Sequence, residues 1–353
     1  MEASDEETIL YLTFNNDGSC FCVGTTKGYR IYKSYPLKCL AKKDIEGGIS
    51  IIDMLNRSNI LAFVGTGKNE NKSNKVIIWD SIKSEAINEI VSMYDIKNIK
   101  LKRTKLFIIT EKNITVFSQG NWEKLETIKT YENKNGIFGI SLDPKLNIIA
   151  YPSQDIGKII IKNFDEKKDD KCITKEINAH QTEVTALVMN NDASLLASAS
   201  MKGTIIKIFK TKDSSLIQEL RRGTEPANIY SLAFDYSSEY LACSSNKGTV
   251  HIFNVKNDDN NEVHNQKSIF GNVISFFGIQ NEYLNSEWSF AQLRLTFNGK
   301  SIVSFSTDSS TSIIVIVSDG QYFQGEMDKK TGGQCQTSLK QNFLTLDIEK
   351  EEN

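Results

Sequence analysis

The 353-residue chain has only four prolines and three histidines, and its 42 basic residues nearly cancel 44 acidic ones. So few prolines leave no room for long Pro-rich linkers between domains. A formal charge of -2 excludes a nucleic-acid binder that works by bulk electrostatics, so any anion recognition must be local. Three scattered histidines offer little general-base capacity, and no G-x-S-x-G, H-E-x-x-H or P-loop sequence occurs. A hydrolase would need converging acids, a nucleophile with its base, or a metal constellation. With none of these visible, the expectation is a non-enzyme without cofactor or metal. No stretch reaches the roughly 18 apolar residues of a membrane span. The N-terminal "MEASDEETILYL" is acidic, where a secretory signal would be basic. The six cysteines (Cys20, Cys22, Cys39, Cys172, Cys243 and Cys335) include no C-x-x-C pair, so free thiols in a reducing cytosol are expected. These absences point to a soluble intracellular protein.

What the chain does contain is short apolar runs rich in Ile, Val, Phe and Tyr, punctuated by Asn, Asp, Gly, Ser and Lys. Long amphipathic helical patterns are missing, which is an all-β signature. The runs repeat. "ILYLTFNNDGSCFCVGTTKGYRIYK" (8–33), "TEVTALVMNNDASLLASASMKGTIIKIFK" (182–210) and "ANIYSLAFDYSSEYLACSSNKGTVHIFNV" (227–255) each read strand, polar turn, strand, Lys-Gly turn, strand. A fourth, outer strand follows, as in "SLIQELRRG". Weaker units fill 48–80, 96–119, 136–164 and 290–317, which makes seven. Their period of about 40–45 residues is that of WD-type propeller blades. The expected fold is a single-domain, seven-bladed β-propeller (1–353) with four-stranded antiparallel blades. Approximate blades are 8–45, 47–90, 91–133, 134–181, 182–223, 224–287 and 288–328, and the tail 329–353 is either partly disordered or a closing strand. A pair of β-sandwich domains fits less well, because the spacing is regular and no linker interrupts it. Two insertions break the period: "GTGKNENKSNK" (65–75), and a longer stretch from about Lys256 to Trp288 between the third and fourth strands of blade six. Long loops on compact domains are commonly functional or disordered.

The fourth strand of blade five ends in Arg221 and Arg222. Successive strand residues face opposite sides, so one guanidinium enters the crevice toward blade four and the other the crevice toward blade six. Arginine's planar fork suits phosphate, and Gly223 permits a sharp exit. "SASMKGT" supplies Ser198, Ser200, Lys202 and Thr204, and "CSSNKGT" supplies Ser244, Ser245, Lys247 and Thr249. Hydroxyls and a lysine beside a glycine turn are short donors and a mobile point charge for an anion. His180 opens blade five and His251 lies on the third strand of blade six, one near each crevice. Each of these features alone is ordinary turn chemistry, and His180 matches the structural histidine of WD repeats. The duplication around one strand favours two anion sites.

"ELRRGTEPANIYSLAF" followed by "GTVHIF" resembles the Phe/Leu-Arg-Arg-Gly signature of the PROPPIN family, the WIPI-type propellers of autophagy, with Leu220 where Phe is commoner. The likeness spans nearly the whole chain and is nearest the WIPI3/WIPI4 branch. "FNNDGSCFCVGTTKGYRIY", "GGISIIDMLNRSNILAFVGTG", "NKVIIWD" and "YLNSEWSFAQLRL" look like counterparts. The resemblance implies binding of phosphatidylinositol 3-phosphate and phosphatidylinositol 3,5-bisphosphate at two rim sites. By position, the first would use His180, Ser198, Ser200, Lys202, Thr204 and Arg221; the second would use Arg222, Ser244, Ser245, Lys247, Thr249 and His251. It implies a membrane-inserting loop in blade six, where Phe276, Phe277, Tyr283, Leu284 and Trp288 carry the apolar and interfacial side chains. For Trp288 and Phe290, packing of "YLNSEWSF" against blade seven is the equal alternative. Two sites on one scaffold would bind as an avid pair and hold the ring edge-on to the bilayer. The family recruits autophagy factors, and this branch engages the autophagy lipid-transfer protein through the early blades. Asn15 and Asp17 are candidates there, although "NNDG" also reads as a plain hairpin turn. The implied protein is a monomer in solution that attaches peripherally and reversibly to preautophagosomal, endosomal or vacuolar membranes. A WD-type scaffold with no lipid role is the alternative, for which the two arginines would be dispensable.

Overall fold

The computed structural model describes residues 6–68, 72–143, 145–168, 171–256, 265, 286–297 and 299–348. The described chain is all β apart from a single 3-10 turn, Phe343–Thr345. Among the described residues no helix is long and apolar enough to cross a membrane. All six cysteines are free.

The strands pair into seven sheets in chain order. Sheet one is β1 (Ile9–Phe14), β2 (Cys20–Thr25), β3 (Gly28–Lys33) and β4 (Lys38–Asp44). Sheet two is β5 (Ile49–Met54), β6 (Ile60–Gly65), β7 (Lys75–Asp80) and β8 (Glu85–Val91). Sheet three is β9 (Ile96–Leu101), β10 (Lys105–Thr110), β11 (Asn113–Ser118) and β12 (Lys124–Lys129). Sheet four is β13 (Gly139–Ile140), β14 (Ile148–Pro152), β15 (Lys158–Lys168) and β16 (Lys171–Asn178). Sheet five is β17 (Val184–Met189), β18 (Leu195–Ser200), β19 (Ile205–Lys210) and β20 (Leu216–Arg221), with β24 (Glu287–Trp288) added in parallel on β20. Sheet six is β21 (Ile229–Phe234), β22 (Tyr240–Ser245), β23 (Thr249–Asn254) and β25 (Ala291–Arg294), with β29 (Gly333–Gln334) in parallel on β25. Sheet seven is β26 (Ser301–Phe305), β27 (Ser312–Val317), β28 (Gln321–Glu326) and β30 (Gln336–Asn342). Each is an up-and-down antiparallel meander, and together they are the blades of a seven-bladed β-propeller.

The burial patterns explain the sequence. Strands β2, β18, β22 and β27 are buried at every position, because both faces of a blade's middle are covered. The outermost β8 and β12 are mostly exposed, and there charged residues alternate with single apolar ones.

The chain divides into two compact units. Unit one comprises 1–136, 316–322 and 340–353. Its two apolar clusters gather Ile, Val and Leu from sheets one to three. Buried within it, the Asp53 carboxylate accepts from Lys100 Nζ at 2.7 Å and from the Leu101 backbone N–H at 2.7 Å. Burial pushes the Asp53 pKa up, against the pull of Lys100; Lys100 itself is raised, burial opposing and Asp53 prevailing. The tail is tied in. Phe343 packs against Phe21 and Tyr32 at ring separations of 5.4 and 5.2 Å, and Ile348 bridges to Cys39. Within the described part of 329–353, β29 adds to sheet six and β30 to sheet seven.

Unit two comprises 137–315 and 323–339 and holds sheets four to six. One cluster joins Ala150, Ile159 and Ile177 of sheet four to Leu196 and Phe209 of sheet five. Another joins Ala197, Ala199, Ile206 and Leu220 of sheet five to Leu241, Cys243 and Phe253 of sheet six. One boundary differs from expectation. The stretch 290–297 was expected to open the last blade, but Ala291–Arg294 pairs with β23 and completes sheet six. A 36-residue separation of third from fourth strand (Asn254 to Ala291) hides that pairing from a periodicity count.

Candidate functional site

The two clusters orient the faces of sheet five. Leu196 and Phe209 look toward sheet four, so Ser198 and Ser200, two and four residues on from Leu196, share that face. Cross-strand partners share a face as well. Ser198 is opposite Lys207, Lys207 is opposite Glu219, and Ile205 is opposite Arg221. Arg221 therefore belongs to the sheet-four side. Arg222, offset by one, belongs to the side of Leu220, toward sheet six.

In the first crevice His180 Nε2 lies 2.9 Å from Ser198 Oγ. The histidine's backbone is clamped by its N–H on the Gly157 carbonyl at 2.9 Å. Burial, helped by Lys207, pulls the His180 pKa down to about 4, so the ring is neutral near pH 7. Lys207 Nζ is 3.1 Å from Glu219 Oε1. Arg221 is only 1% exposed. Its Nε donates to Ser286 Oγ at 2.7 Å, and its guanidinium carbon lies 5.9 Å from the Trp288 ring centroid. Ser286 and Trp288 flank Glu287 on the β24 strap, whose backbone pairs Trp288 with Arg221. Glu287 fixes the strap: Gln218 Nε2 donates to it at 2.6 Å, Asn265 Nδ2 at 2.8 Å and Lys256 Nζ at 2.5 Å. Burial would raise its pKa, but those three donors together lower it.

In the second crevice Arg222 is 5% exposed; its Nε donates to the Gly203 carbonyl at 2.9 Å and its terminal nitrogen to the Glu225 carbonyl. Its backbone N–H donates to the Thr204 carbonyl at 2.9 Å. Burial pulls the guanidinium's pKa down, opposed by Cys243 and Glu225. Gly203 is indispensable there: its φ is +60° and a Cβ would lie 1.8 Å from the Ala227 carbonyl oxygen. On the facing wall, Cys243 is opposite His251, with Ser245 and Thr249 on the same face by alternation. His251 Nδ1 sits 3.2 Å from Ser289 Oγ, and its ring stacks on Phe253. Burial, then Arg222 and Arg294, pull the His251 pKa down to about 4. Lys247 Nζ pairs with Glu225 at 2.8 Å on the rim.

The structure thus gathers His180, Ser198, Ser200 and Arg221 on one side and Arg222, Ser245, Lys247, Thr249 and His251 on the other. Lys202 is exposed, and the Lys202-Gly203-Thr204 turn meets Arg222 and Ala227 through its backbone, on the Arg222 side. Ser244 faces away from the second crevice, donating to the Ser301 carbonyl at 2.9 Å, since it alternates with Ser245. Of the expected loop residues, Phe276, Phe277, Tyr283 and Leu284 lie outside the described residues. Trp288 is half-buried over Arg221, and Phe290 is buried and stacked on Tyr240. Asn15 and Asp17 form a hairpin turn. Asn15 Oδ1 accepts from Cys20 N–H at 3.0 Å, and Asp17 Oδ1 accepts from Ser19 N–H at 3.0 Å. Asn190 and Asp192 repeat this arrangement with Leu195 and Ser194. Asp17 also meets Arg57 at 3.3 Å on the surface.

Sequence reasoning missed Lys207, Glu219, Ser286 and Arg294. The available signal was the match of "KIF" (207–209) to "HIF" (251–253) and of "ELR" (219–221) to "QLR" (292–294). Aligning the Lys-Gly-Thr turns hides it. Ser198 and Lys207 are nine positions apart, Cys243 and His251 eight, so the second hairpin is one residue shorter.

Comparison with known proteins agrees with this architecture. The PROPPIN family model matches residues 8–344. Autophagy-related protein 18e of Arabidopsis thaliana is 31% identical over 349 residues, covering 98% of this chain and 90% of its own. The solved structure of Kluyveromyces lactis Hsv2 superposes with a TM-score of 0.79 at 24% identity, covering 96% of this chain and all of the other. A further neighbour, at 23% identity and a TM-score of 0.76, is an Atg21 protein solved in complex with the coiled-coil of an Atg16; it covers 95% of this chain and 99% of its own. By the match over nearly its whole length, this chain belongs to the PROPPIN family of autophagy β-propellers.

Proposed function

We propose that this chain is a phosphoinositide-binding adaptor that reads 3-phosphorylated inositol headgroups through two crevices, one on each side of strand β20. The observation that carries the reading is that Arg221 and Arg222 belong to opposite faces of sheet five, the first face shared with Ser198 and its partner His180, the second turned toward the face of sheet six that carries Thr249 and His251. A guanidinium donates two parallel hydrogen bonds to a phosphate, and a neutral imidazole adds one N–H without competing for the anion. Phosphatidylinositol 3-phosphate and phosphatidylinositol 3,5-bisphosphate are the ligands proposed. Each site alone would be weak; two on one scaffold add through effective concentration. Peripheral, reversible attachment to organelle membranes follows from headgroup capture, with the blade-six loop supplying apolar contact.

The adaptor role extends to protein partners, autophagy factors being the class proposed. The Atg16 coiled-coil bound by the Atg21 neighbour and the lipid-transfer protein implied by the WIPI3/WIPI4 resemblance are two candidate partner chemistries. Asp17 with Arg57, on the first two sheets, is the proposed contact region. The test of the lipid reading is flotation with vesicles carrying 3-phosphorylated inositides. Arg221→Gln with Arg222→Gln should abolish recovery in the vesicle fraction while the circular-dichroism spectrum stays unchanged. Undiminished flotation of the folded double variant would refute it.

A further inference from the structure

The structure-based alignment of sheets five and six equates Lys207 with His251, Glu219 with Gln292 and Arg221 with Arg294. Lys207 is opposite Glu219 as His251 is opposite Gln292, and Ile205 is opposite Arg221 as Thr249 is opposite Arg294. Arg294 therefore lies on the face of sheet six that carries Thr249 and His251, looking toward Arg222. It is exposed, and no hydrogen bond or ion pair ties it up among the described residues. After burial, Arg222 and Arg294 both lower the His251 pKa, in keeping with the shared face given by the strand register.

The first crevice has no such second arginine. The position corresponding to Arg222 at the end of sheet four is Ala179, since Asn178 opposite Lys158 matches Arg221 opposite Ile205. Its other interior cation, Lys207, is 3.1 Å from Glu219, where the second crevice has the uncharged Gln292. Rim residues do not reverse this, since Lys202 stands on the Arg222 side and Lys247 there is paired with Glu225. The difference is in guanidinium forks, one against two, and each fork suits one phosphate.

We propose that Arg294 is a phosphate-binding residue of the second crevice, and that this crevice, with guanidiniums on two facing strands, takes an inositol ring bearing two phosphates. The first crevice takes a single phosphate. This rests on the phosphoinositide reading above. A lipid headgroup and a free inositol phosphate present the same groups, so both are probed.

The experiment measures wild type and Arg294→Gln by titration with the soluble headgroups of phosphatidylinositol 3-phosphate and 3,5-bisphosphate, and by flotation with vesicles bearing each lipid. Loss of one charge-assisted contact should weaken bisphosphate binding about tenfold. Monophosphate binding should fall by less than about threefold, because Arg222 and Arg221 each still offer a fork. Arg294→Lys, which keeps the charge and loses the fork, should fall between wild type and Arg294→Gln. Arg294 is exposed, so the fold is not at risk, and unchanged thermal melting confirms it. Equal loss for both headgroups, or none for either, overturns the role of Arg294 while leaving the phosphoinositide reading standing. Wild type that binds neither headgroup nor vesicle overturns both. Binding of soluble headgroups without vesicle recovery reassigns the crevices to free inositol phosphates and overturns the lipid reading.

Discussion

His180 and His251 make folding sensitive to acid in a way that can be worked out in advance. Both have native pKa values near 4, lowered by burial and by neighbouring cations: Lys207 for the first, Arg222 and Arg294 for the second. In the unfolded chain a histidine titrates near 6.5. Above that pH both states are neutral and the full stability is present. Between about 6.5 and 4 the unfolded chain takes up protons that the native state refuses, so stability falls as pH drops. At pH 5 the shift from 6.5 to about 4 costs about 2 kcal/mol for His251, and no more than that for the less buried His180. The perturbation is His180→Gln with His251→Gln, and the assay is urea unfolding at pH 7.5 and 5.0. The wild type's loss between the two pH values should exceed the variant's by about 2–4 kcal/mol. Comparing each protein with itself cancels any constant effect of the substitutions and the carboxylates common to both. A phosphate dianion beside either ring favours its protonated form, so saturating headgroup should shrink the acid loss of the wild type. Equal pH dependence in the two proteins would refute the buried, neutral state of these rings.

Three further outcomes follow from the geometry. Gly203→Ala forces a side chain into the Ala227 carbonyl at a φ of +60°; it should cost at least about 2 kcal/mol in urea unfolding and weaken bisphosphate headgroup binding through Arg222. Asp53→Ala leaves the Lys100 ammonium without its buried carboxylate and should destabilise by roughly 3 kcal/mol; adding Lys100→Met should recover part of that loss, read as a double-mutant cycle. Trp288→Ala removes the ring from the Arg221 guanidinium and should weaken soluble monophosphate headgroup binding severalfold. A side chain acting only as a membrane wedge would alter vesicle binding alone.

The seven-sheet architecture was legible because blade interiors are buried on both faces. That burial demands unbroken apolar strands such as "LLASAS" and "SIIVIV" at a steady period. The divergence of Arg221 and Arg222 was legible for the equally local reason that a strand alternates. The same rule applied to Ser244 and Ser245 would have separated them, and the structure does so. Other parts depend on pairings that sequence spacing conceals. Ala291–Arg294 returns to sheet six only after the long insertion, so Arg294 could not be set beside His251. The extra residue in the Ile205 hairpin disguised Lys207 as a plain strand residue. The strap that brings Ser286 and Trp288 onto Arg221 is a two-residue parallel pairing of strands 67 positions apart, beyond any periodic signal. The turn of Asn15 and Asp17 recurs at Asn190 and Asp192, so its hydrogen bonds are hairpin chemistry and do not by themselves mark a partner surface.

The most direct test of two separate sites, one for each arginine, is the stoichiometry of soluble phosphatidylinositol 3-phosphate headgroup binding by calorimetry. The expected result is two headgroups per wild-type chain, one for Arg221→Gln, one for Arg222→Gln and none for the double variant. A single headgroup on the wild type, lost together in either single variant, would mean that the two arginines serve one site and would contradict the account.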